Sequence, residues 1–289
     1  MKLITSAVIV TYNPDIDRLS LLLESICFQV DYIFIIDNST KNLILKGSNF
    51  ENLKIVNNGK NLGIAEAQNI GIKLSQKHNS DFILTSDQDT IFPKNYVNKM
   101  LEIFLQQQQK VICIAPYFRD ANRENMIEKS VSFNKRGIIK QNKEIKTTTV
   151  SHVISSGMFF RTDAFKIIGL FDESLFIDYV DHDWCFRCHM KGKQILQTSD
   201  LIIEHKIGNK PRRVFSRKVI TPSGKRIYFY LRNLFFITFF KEYSPQIKRY
   251  LLKRYFIQLV KFLLLEPGTT LKYFFKSVSD SKKMGMKDT

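Results

Sequence analysis

Two mainly apolar stretches without polar alternation, residues 3–10 and 32–36, constrain the N-terminal half of this chain more than anything else in it. A strand with one wet face alternates apolar and polar side chains. A run without alternation must be buried on both faces, as strands are in a parallel sheet covered by helices. Asn13-Pro14 breaks the first run, and Ile16, Leu19, Leu22, Leu23 and Ile26 then recur at helical spacing. The polar Asp37-Asn38-Ser39 ends the second run. Residues 53–56 read as a third, shorter strand, and 82–84 as a further one. Ile64, Ala67, Ile70, Ile72 and Leu74 read as a helix beginning near Gly63. This alternation predicts an α/β fold with a doubly wound, mostly parallel sheet that takes its ligands at the carboxyl ends of the strands. Residues 195–203 form another strand-like run, ending at His205, whereas 117–150 are polar, lack a period, and read as irregular hairpins and loops.

Charge divides the chain differently. Residues 1–205 carry 24 Lys and Arg against 23 Asp and Glu, but residues 206–289 carry 20 against 4. Nearly all of the net +17 therefore sits in the last third, a basic region suited to an anionic surface such as phospholipid or to nucleic acid. Residues 228–236 and 250–265 read as helices with wide apolar faces. Arg232 and Lys261 interrupt them, so neither offers the roughly 18 uncharged residues of a membrane-crossing helix; helices lying on a bilayer are expected instead. Four cysteines and an N-terminus without a cleavable leader point to a reducing, cytoplasmic setting.

Three clusters could carry chemistry. Thr85-Ser86-Asp87-Gln88-Asp89 follows the strand at 82–84 directly. Carboxylates two residues apart at a strand end can share one side and hold a hard divalent cation, with water and diphosphate completing its shell. Elsewhere, such a pair is usually a solvated turn. Asp178, Asp181, His182 and Asp183 form a second cluster, read either as carboxylates favouring a helix N-terminus or as a general base within reach of an acceptor hydroxyl. Cys185-Phe186-Arg187-Cys188-His189 matches the pattern of covalent haem attachment, but no export signal accompanies it. The two cysteines more simply share one helical face.

In order, Val8-Ile9-Val10-Thr11-Tyr12-Asn13-Pro14, Ile36-Asp37-Asn38-Ser39, Asn61-Leu62-Gly63-Ile64-Ala65 and Ser86-Asp87-Gln88-Asp89 are followed by Ser156-Gly157-Met158 and the run from Gly169 to Asp178. The Asp181/Asp183 pair and His205 with Gly208 complete the series. Together they resemble the inverting family 2 glycosyltransferases with a GT-A fold. Asp-Gln-Asp and Phe-Ile-Asp are similar to the bacterial rhamnosyltransferase branch.

The resemblance spans residues 3 to about 210 and implies a catalytic domain over 1–210, with a nucleotide-sugar half at 1–116 and an acceptor half at 117–210. Residues 211–289 are left as a basic helical region that associates with membrane or mediates oligomerisation, possible homo-oligomers included. The resemblance implies that Thr11, Tyr12, Asn13 and Asp37 line the nucleotide pocket, with Asn61, Gly63 and Asn69 near the nucleotide or donor sugar. It implies that Asp87 faces the ribose-diphosphate, that Asp89 holds Mg²⁺ or Mn²⁺ with Asp87, and that His205 is an additional ligand. Asp181 is implied as catalytic base, with Asp183 the neighbouring candidate. The implied reaction moves a sugar, L-rhamnose from dTDP-L-rhamnose, onto a hydroxyl of a lipid-linked saccharide at the inner face of the membrane, in cell-surface polysaccharide synthesis. A UDP-sugar donor carrying galactofuranose, glucose or N-acetylglucosamine is the alternative within the family. A nucleic-acid-binding protein or an inactive scaffold is the alternative outside it, and the absence of a recognised nucleic-acid module argues against the former.

Overall fold

The computed structural model describes residues 2–45, 50–120, 126–127, 131–134, 137–140, 146–205, 212–214, 217–219, 222 and 224–286. The first half alternates as its apolar runs require: β1 (Thr5–Thr11), α1 (Ile16–Ile26), β2 (Tyr32–Asp37), β3 (Leu53–Asn57), α2 (Ile64–Lys77), β4 (Phe82–Asp87) and α3 (Tyr96–Leu105). Then come β5 (Val111–Asp120), β6 (Met126–Ile127), β7 (Val131–Asn134), β8 (Gly137–Lys140), β9 (Thr147–Val150), β10 (Phe159–Arg161), α4 (Ala164–Ile168) and a 3₁₀ turn (Glu173–Leu175). The chain continues through α5 (Val180–Met190), β11 (Gln194–His205), β12 (Arg212–Val214), β13 (Arg217–Val219), α6 (Lys225–Phe239), α7 (Pro245–Leu265) and α8 (Pro267–Gly285).

The central sheet runs β3-β2-β1-β4-β10-β5-β11-β9. The first four strands are mutually parallel, as are β5 and β11, whereas β10 is antiparallel to both of its neighbours. Successive β1 and β2 residues feed opposite faces. Ala7, Ile9, Ile33 and Ile35 pack with α1 and α3, and Val8, Phe34 and Ile36 pack with α2, α5 and the C-terminal helices. Burial on both sides is the reason these strands carry no polar alternation. Gly71 of α2 lies so close to β1 that an added Cβ would meet Val8 at 2.2 Å. Within 117–150, the described residues form the end of β5 with its partner β6, the β7–β8 hairpin and the edge strand β9, which pairs antiparallel with β11, where the sequence reads only irregular hairpins and loops.

The C-terminal third folds onto this body. Leu234, Phe236 and Ile237 of α6 and Ile247, Leu251 and Tyr255 of α7 belong to the same apolar cluster as Trp184, Phe186 and Phe160. The sequence reading anticipated α6 and α7 but not α8. Its fully buried residues are Thr270, Ser277, Ser281 and Gly285, so α8 docks by close approach of backbone, with partly buried Phe274 and Met284 adding apolar contact. The Ser281 hydroxyl donates to the Arg232 carbonyl, and an added Cβ at Gly285 would meet the Phe240 ring at 2.2 Å. Among the described residues, no helix is long and apolar enough to cross a membrane.

Candidate active site

The register brings three strand ends level: Val10 of β1 stands opposite Asp87 of β4, and Thr11 opposite Asp37 of β2. Above them opens a cleft of about 620 Å³. Its floor is made by Thr11, Tyr12, Asp87, Gln88 and Asp89, and one wall by Asn61, Gly63 and Gln68 at the start of α2. Ser155, residues 176–182, and Arg226, Tyr230 and Arg254 complete it.

The residues on the strand side of the cleft are fixed by short polar contacts. The Tyr12 N–H donates to Gln88 Oε1 at 2.7 Å, and Arg18 Nε to the Asp89 carbonyl at 3.1 Å. The Gly63 N–H donates to Asn61 Oδ1 at 2.9 Å. Gly63 adopts φ +85°, and a Cβ there would lie 2.6 Å from both the ring and the carbonyl oxygen of Phe176, so only glycine lets α2 start this near the opposing loop. Asp37 is buried beneath the cleft; its Oδ1 accepts from Thr11 and Ser39 hydroxyls, both at 2.7 Å. Its Oδ2 is buried with no hydrogen-bond partner, as are both polar atoms of the Gln68 amide. Buried polar atoms left without partners are costly, and such atoms beside a cleft suit a polar ligand.

The opposing loop is strained. Phe176, Asp178 and Tyr179 all have φ near +65° (63°, 65° and 65°), a region costing L-residues about 1 kcal/mol or more each. α6 holds it. Asn233 Nδ2 contacts the carbonyls of Leu175, Ile177 and Asp178 at 2.7, 2.7 and 2.9 Å. Arg232 Nη2 donates to the Ser174 and Leu175 carbonyls, both at 2.9 Å. Arg226 adds contacts of 2.9 and 3.1 Å to the Asp178 carboxylate.

The loop delivers Asp181 into the cleft at the start of α5. Asp181 Oδ1 meets His182 Nδ1 at 2.7 Å and accepts the His182 N–H, while Oδ2 accepts the Ser155 N–H at 3.2 Å. Burial pushes this carboxyl up, but the His182 charge and these hydrogen bonds outweigh it and hold the group below its usual range. It is a carboxylate at neutral pH, able to accept a proton.

Of the residues expected at the site, Thr11, Tyr12, Asn61, Gly63, Asp87, Asp89 and Asp181 meet in this cleft, whereas Asn13, Asp37, Asn69 and Asp183 do not line it. Asp183 is fully buried, paired with Arg187 Nε at 2.8 Å and accepting the Tyr243 hydroxyl. Arg187 in turn ties down the Ile168 and Leu170 carbonyls. Two residues beyond Asp181, about half a helical turn round, Asp183 sits in the core, where its carboxylate anchors α5. Asn69 is likewise occupied, contacting Glu173 Oε1 and the Phe171 backbone in both directions. His205 ends β11, but its side chain, like Gly208, lies outside the described residues. Sequence reading missed Gln68, Gln88, Arg226, Tyr230 and Arg254. Gln68 lies one helical turn after Ile64 in a segment already singled out; for the arginines, no local signal existed.

Among the described residues, no group of three His, Cys, Asp or Glu side chains is arranged to hold a metal. Asp87 and Asp89 supply two hard oxygen donors at one strand end, which fits Mg²⁺ or Mn²⁺ whose remaining ligands are water and diphosphate oxygens. Cys185 and Cys188 are buried in α5, where burial pushes both thiols up, away from the thiolate that ligates metals.

A ligand cleft at the carboxyl ends of a mostly parallel sheet, floored by a pair of strand-end carboxylates, is the arrangement of the GT-A fold. Solved structures share the fold. S. aureus TarS 1–349 in complex with UDP-GlcNAc superposes with a TM-score of 0.61 at 16% identity, covering 96% of this chain and 80% of that one. GalNAc-T7 with UDP, GalNAc and Mn²⁺ gives 0.58 at 13%, covering 92% of this chain and 58% of that one. The chain belongs to glycosyl transferase family 2, whose model matches residues 6–169. It is 32% identical over 238 residues to the dTDP-rhamnosyl transferase RfbF of Shigella flexneri, covering 80% of this chain and 78% of that relative. It is 24% identical over 201 residues to the low-salt glycan biosynthesis hexosyltransferase Agl10 of Haloferax volcanii, covering 66% of this chain and 64% of that relative. The chain is a glycosyltransferase.

Proposed function

We propose that this enzyme transfers L-rhamnose from dTDP-L-rhamnose to a hydroxyl of a lipid-linked saccharide, with inversion at the anomeric carbon. The likeness to the Shigella flexneri dTDP-rhamnosyl transferase over four-fifths of the chain carries the choice of donor. The ionised Asp181 in the same cleft as Asp87 and Asp89 supports the mechanism. Thr11, Tyr12, Asn61 and Gly63 hold the nucleotide and donor sugar, with Gln68 offering its unpartnered amide from the wall and the buried Asp37 fixing the Thr11 hydroxyl. Asp181 takes the proton of the acceptor hydroxyl as that oxygen attacks the anomeric carbon and the bond to the diphosphate breaks. One displacement needs no second carboxylate nucleophile, so Asp183 serves by fixing α5. Mg²⁺ or Mn²⁺ held by Asp87 and Asp89 would neutralise the charge developing on the leaving diphosphate, and His205 joins this set on the family resemblance.

Exposed Leu252, Phe256, Ile257, Val260 and Leu264 on α7, within a region of strong positive charge, support docking on the anionic inner face of a membrane. Calorimetric titration with dTDP-rhamnose, UDP-sugars and GDP-sugars, with and without Mn²⁺, tests the donor. Metal-dependent preference for dTDP-rhamnose is expected; preference for a UDP-sugar overturns rhamnose and leaves the family standing.

A further inference from the structure

The two oxygens of the Asp181 carboxylate are not equivalent. Oδ1 accepts the His182 backbone N–H at 2.8 Å and meets His182 Nδ1 at 2.7 Å, whereas Oδ2 accepts the Ser155 N–H at 3.2 Å. A carboxylate can only accept, so the proton of this contact is on Nδ1 of His182. Two hydrogen bonds use both lone pairs of Oδ1, and one longer bond leaves a lone pair on Oδ2.

The His182 ring lines the cleft and is held from behind. The ring of His152, in the connection between β9 and β10, lies 4.4 Å away at 33°, and the Tyr179 ring meets His182 edge-on at 5.2 Å. The Ser151 hydroxyl donates to the Val131 carbonyl, so towards His152 Nδ1, 2.9 Å away, it accepts. Nε2 of His152 faces the Tyr250 hydroxyl at 3.3 Å, and that oxygen takes a contact of 3.4 Å from Arg254, which leaves the phenol proton for Nε2. His152 is thereby a neutral imidazole protonated on Nδ1. Burial, with the charges of His182, Arg254 and His189 near it, holds its pKa well below the usual imidazole value. An uncharged ring can stack on His182 without like-charge repulsion.

We propose that His182, backed by His152, is a positioning residue for Asp181: it occupies Oδ1 and leaves Oδ2 as the oxygen that takes the acceptor's proton. Burial pushes Asp181 up, and the His182 charge leads the influences that bring it below its usual range, ahead of the hydrogen bonds. The other charged or titratable groups around the pair are few. Arg226 of α6 acts on Asp181 by charge while its ion pair is with Asp178. Arg254 and Tyr250 of α7 stand behind His152, and Tyr179 beside His182. The base role of Asp181 rests on the transferase reading above; the pairing of His182 with Oδ1 does not.

The test reads the pair directly in the full chain, by NMR of aspartate carboxyl carbons and histidine ring nitrogens, with Asp181→Asn identifying the Asp181 signal. In the wild type, His152 and His182 should both carry the proton on Nδ1, and Asp181 should titrate below 3.8. His182→Ala should raise that midpoint by about one pH unit or more. His182→Asn, whose amide nitrogen can donate from the place of Nδ1, should raise it by much less. His152→Ala should give an intermediate rise, and His152→Phe, which restores a ring behind His182, should reverse it. Release of dTDP from dTDP-rhamnose, with water as acceptor, should fall about tenfold or more in kcat in His182→Ala with little change in KM, and His182→Asn should recover most of that. Equal Asp181 midpoints in wild type and His182→Ala overturn the proposal, as does a His182 ring with its proton on Nε2 and Nδ1 bare. A His182→Asn variant no better than His182→Ala overturns it too, by showing that no donor at Nδ1 is needed. If Asp181→Asn releases dTDP as fast as the wild type, the base reading fails instead, and the NMR result for the pair stands.

Discussion

The two sides of the cleft are built on different plans. On the strand side, Thr11 and Asp87 are the last residues of β1 and β4, so the ladder that forms the sheet also sets their positions. On the helix side, Arg226, Tyr230 and Arg254 project from α6 and α7, and they reach the cleft only because those helices bury Leu234, Phe236, Ile247 and Leu251 against α5 and the sheet. A strand-end site is as robust as its sheet. A helix-borne wall is as robust as its docking, and here that docking also restrains the loop carrying Asp178 to Asp181.

The sharpest way to break this comparison is to remove the docking. Deleting residues 245–289 takes away Ile247, Leu251 and Phe262, each worth about 1.5–3 kcal/mol when fully buried, and exposes their partners, against a total stability of roughly 5–15 kcal/mol. Soluble folded protein should not be recovered, by circular dichroism and size exclusion. A folded truncate that still binds nucleotide would make the C-terminal helices an appendage.

Next in size, Asp181→Asn should lower turnover by about 10²–10⁴ while calorimetry finds nucleotide affinity unchanged. Asp183→Asn should instead cost about 3 kcal/mol of stability by stranding Arg187, seen in the denaturation midpoint, with turnover per folded molecule nearly intact. The reverse pattern would exchange the two roles. Asn233→Ala leaves the Ile177 and Asp178 carbonyls without their side-chain donor, the Leu175 carbonyl keeping Arg232, and costs about 1–3 kcal/mol. If α6 restrains the site, turnover falls by more than nucleotide affinity does.

The pH dependence separates Asp181 from its neighbour. A carboxyl held below its usual value in the folded protein stabilises the fold above the unfolded value near 3.8, and that stabilisation is lost as pH falls through the lower, folded value. The acid limb of the rate should therefore lie below pH 3.8. A limb near 6.5, where imidazoles ordinarily titrate, would make His182 the base. The smallest effect on stability belongs to the outer face of α7: Phe256→Ser with Leu264→Ser should change it by about 0.5 kcal/mol or less per site. Sedimentation with anionic vesicles should nevertheless weaken severalfold. Unchanged sedimentation with a changed oligomeric state would give that face to a second copy of the chain.

Much of the strand side was legible because its signals are local. An unbroken apolar run means burial on two faces, and the polar residues that end it must lie at the sheet's edge. Asp87 and Asp89 could thus be set in one cleft with Thr11 before any coordinates. The same reasoning could not separate Asp181 from Asp183, because both sit in the first turn of one helix and only the packing of Arg187 and Tyr243 sends the second into the core. Nor could it find α8, whose fully buried residues are Thr, Ser and Gly.

By itself, the sequence determined the alternating α/β body, the level strand ends with their acidic pair, and the concentration of positive charge in the last third. Tertiary structure alone decided which of those positive charges face the cleft, that Asn233 holds a strained loop from another element, and that Arg254 stands there among tyrosine hydroxyls. The physical reason is range. Periodicity and strand termini are properties of neighbouring residues, whereas a contact such as Asn233 with Leu175 spans 58 residues and exists only once two apolar helix faces have closed on a common core.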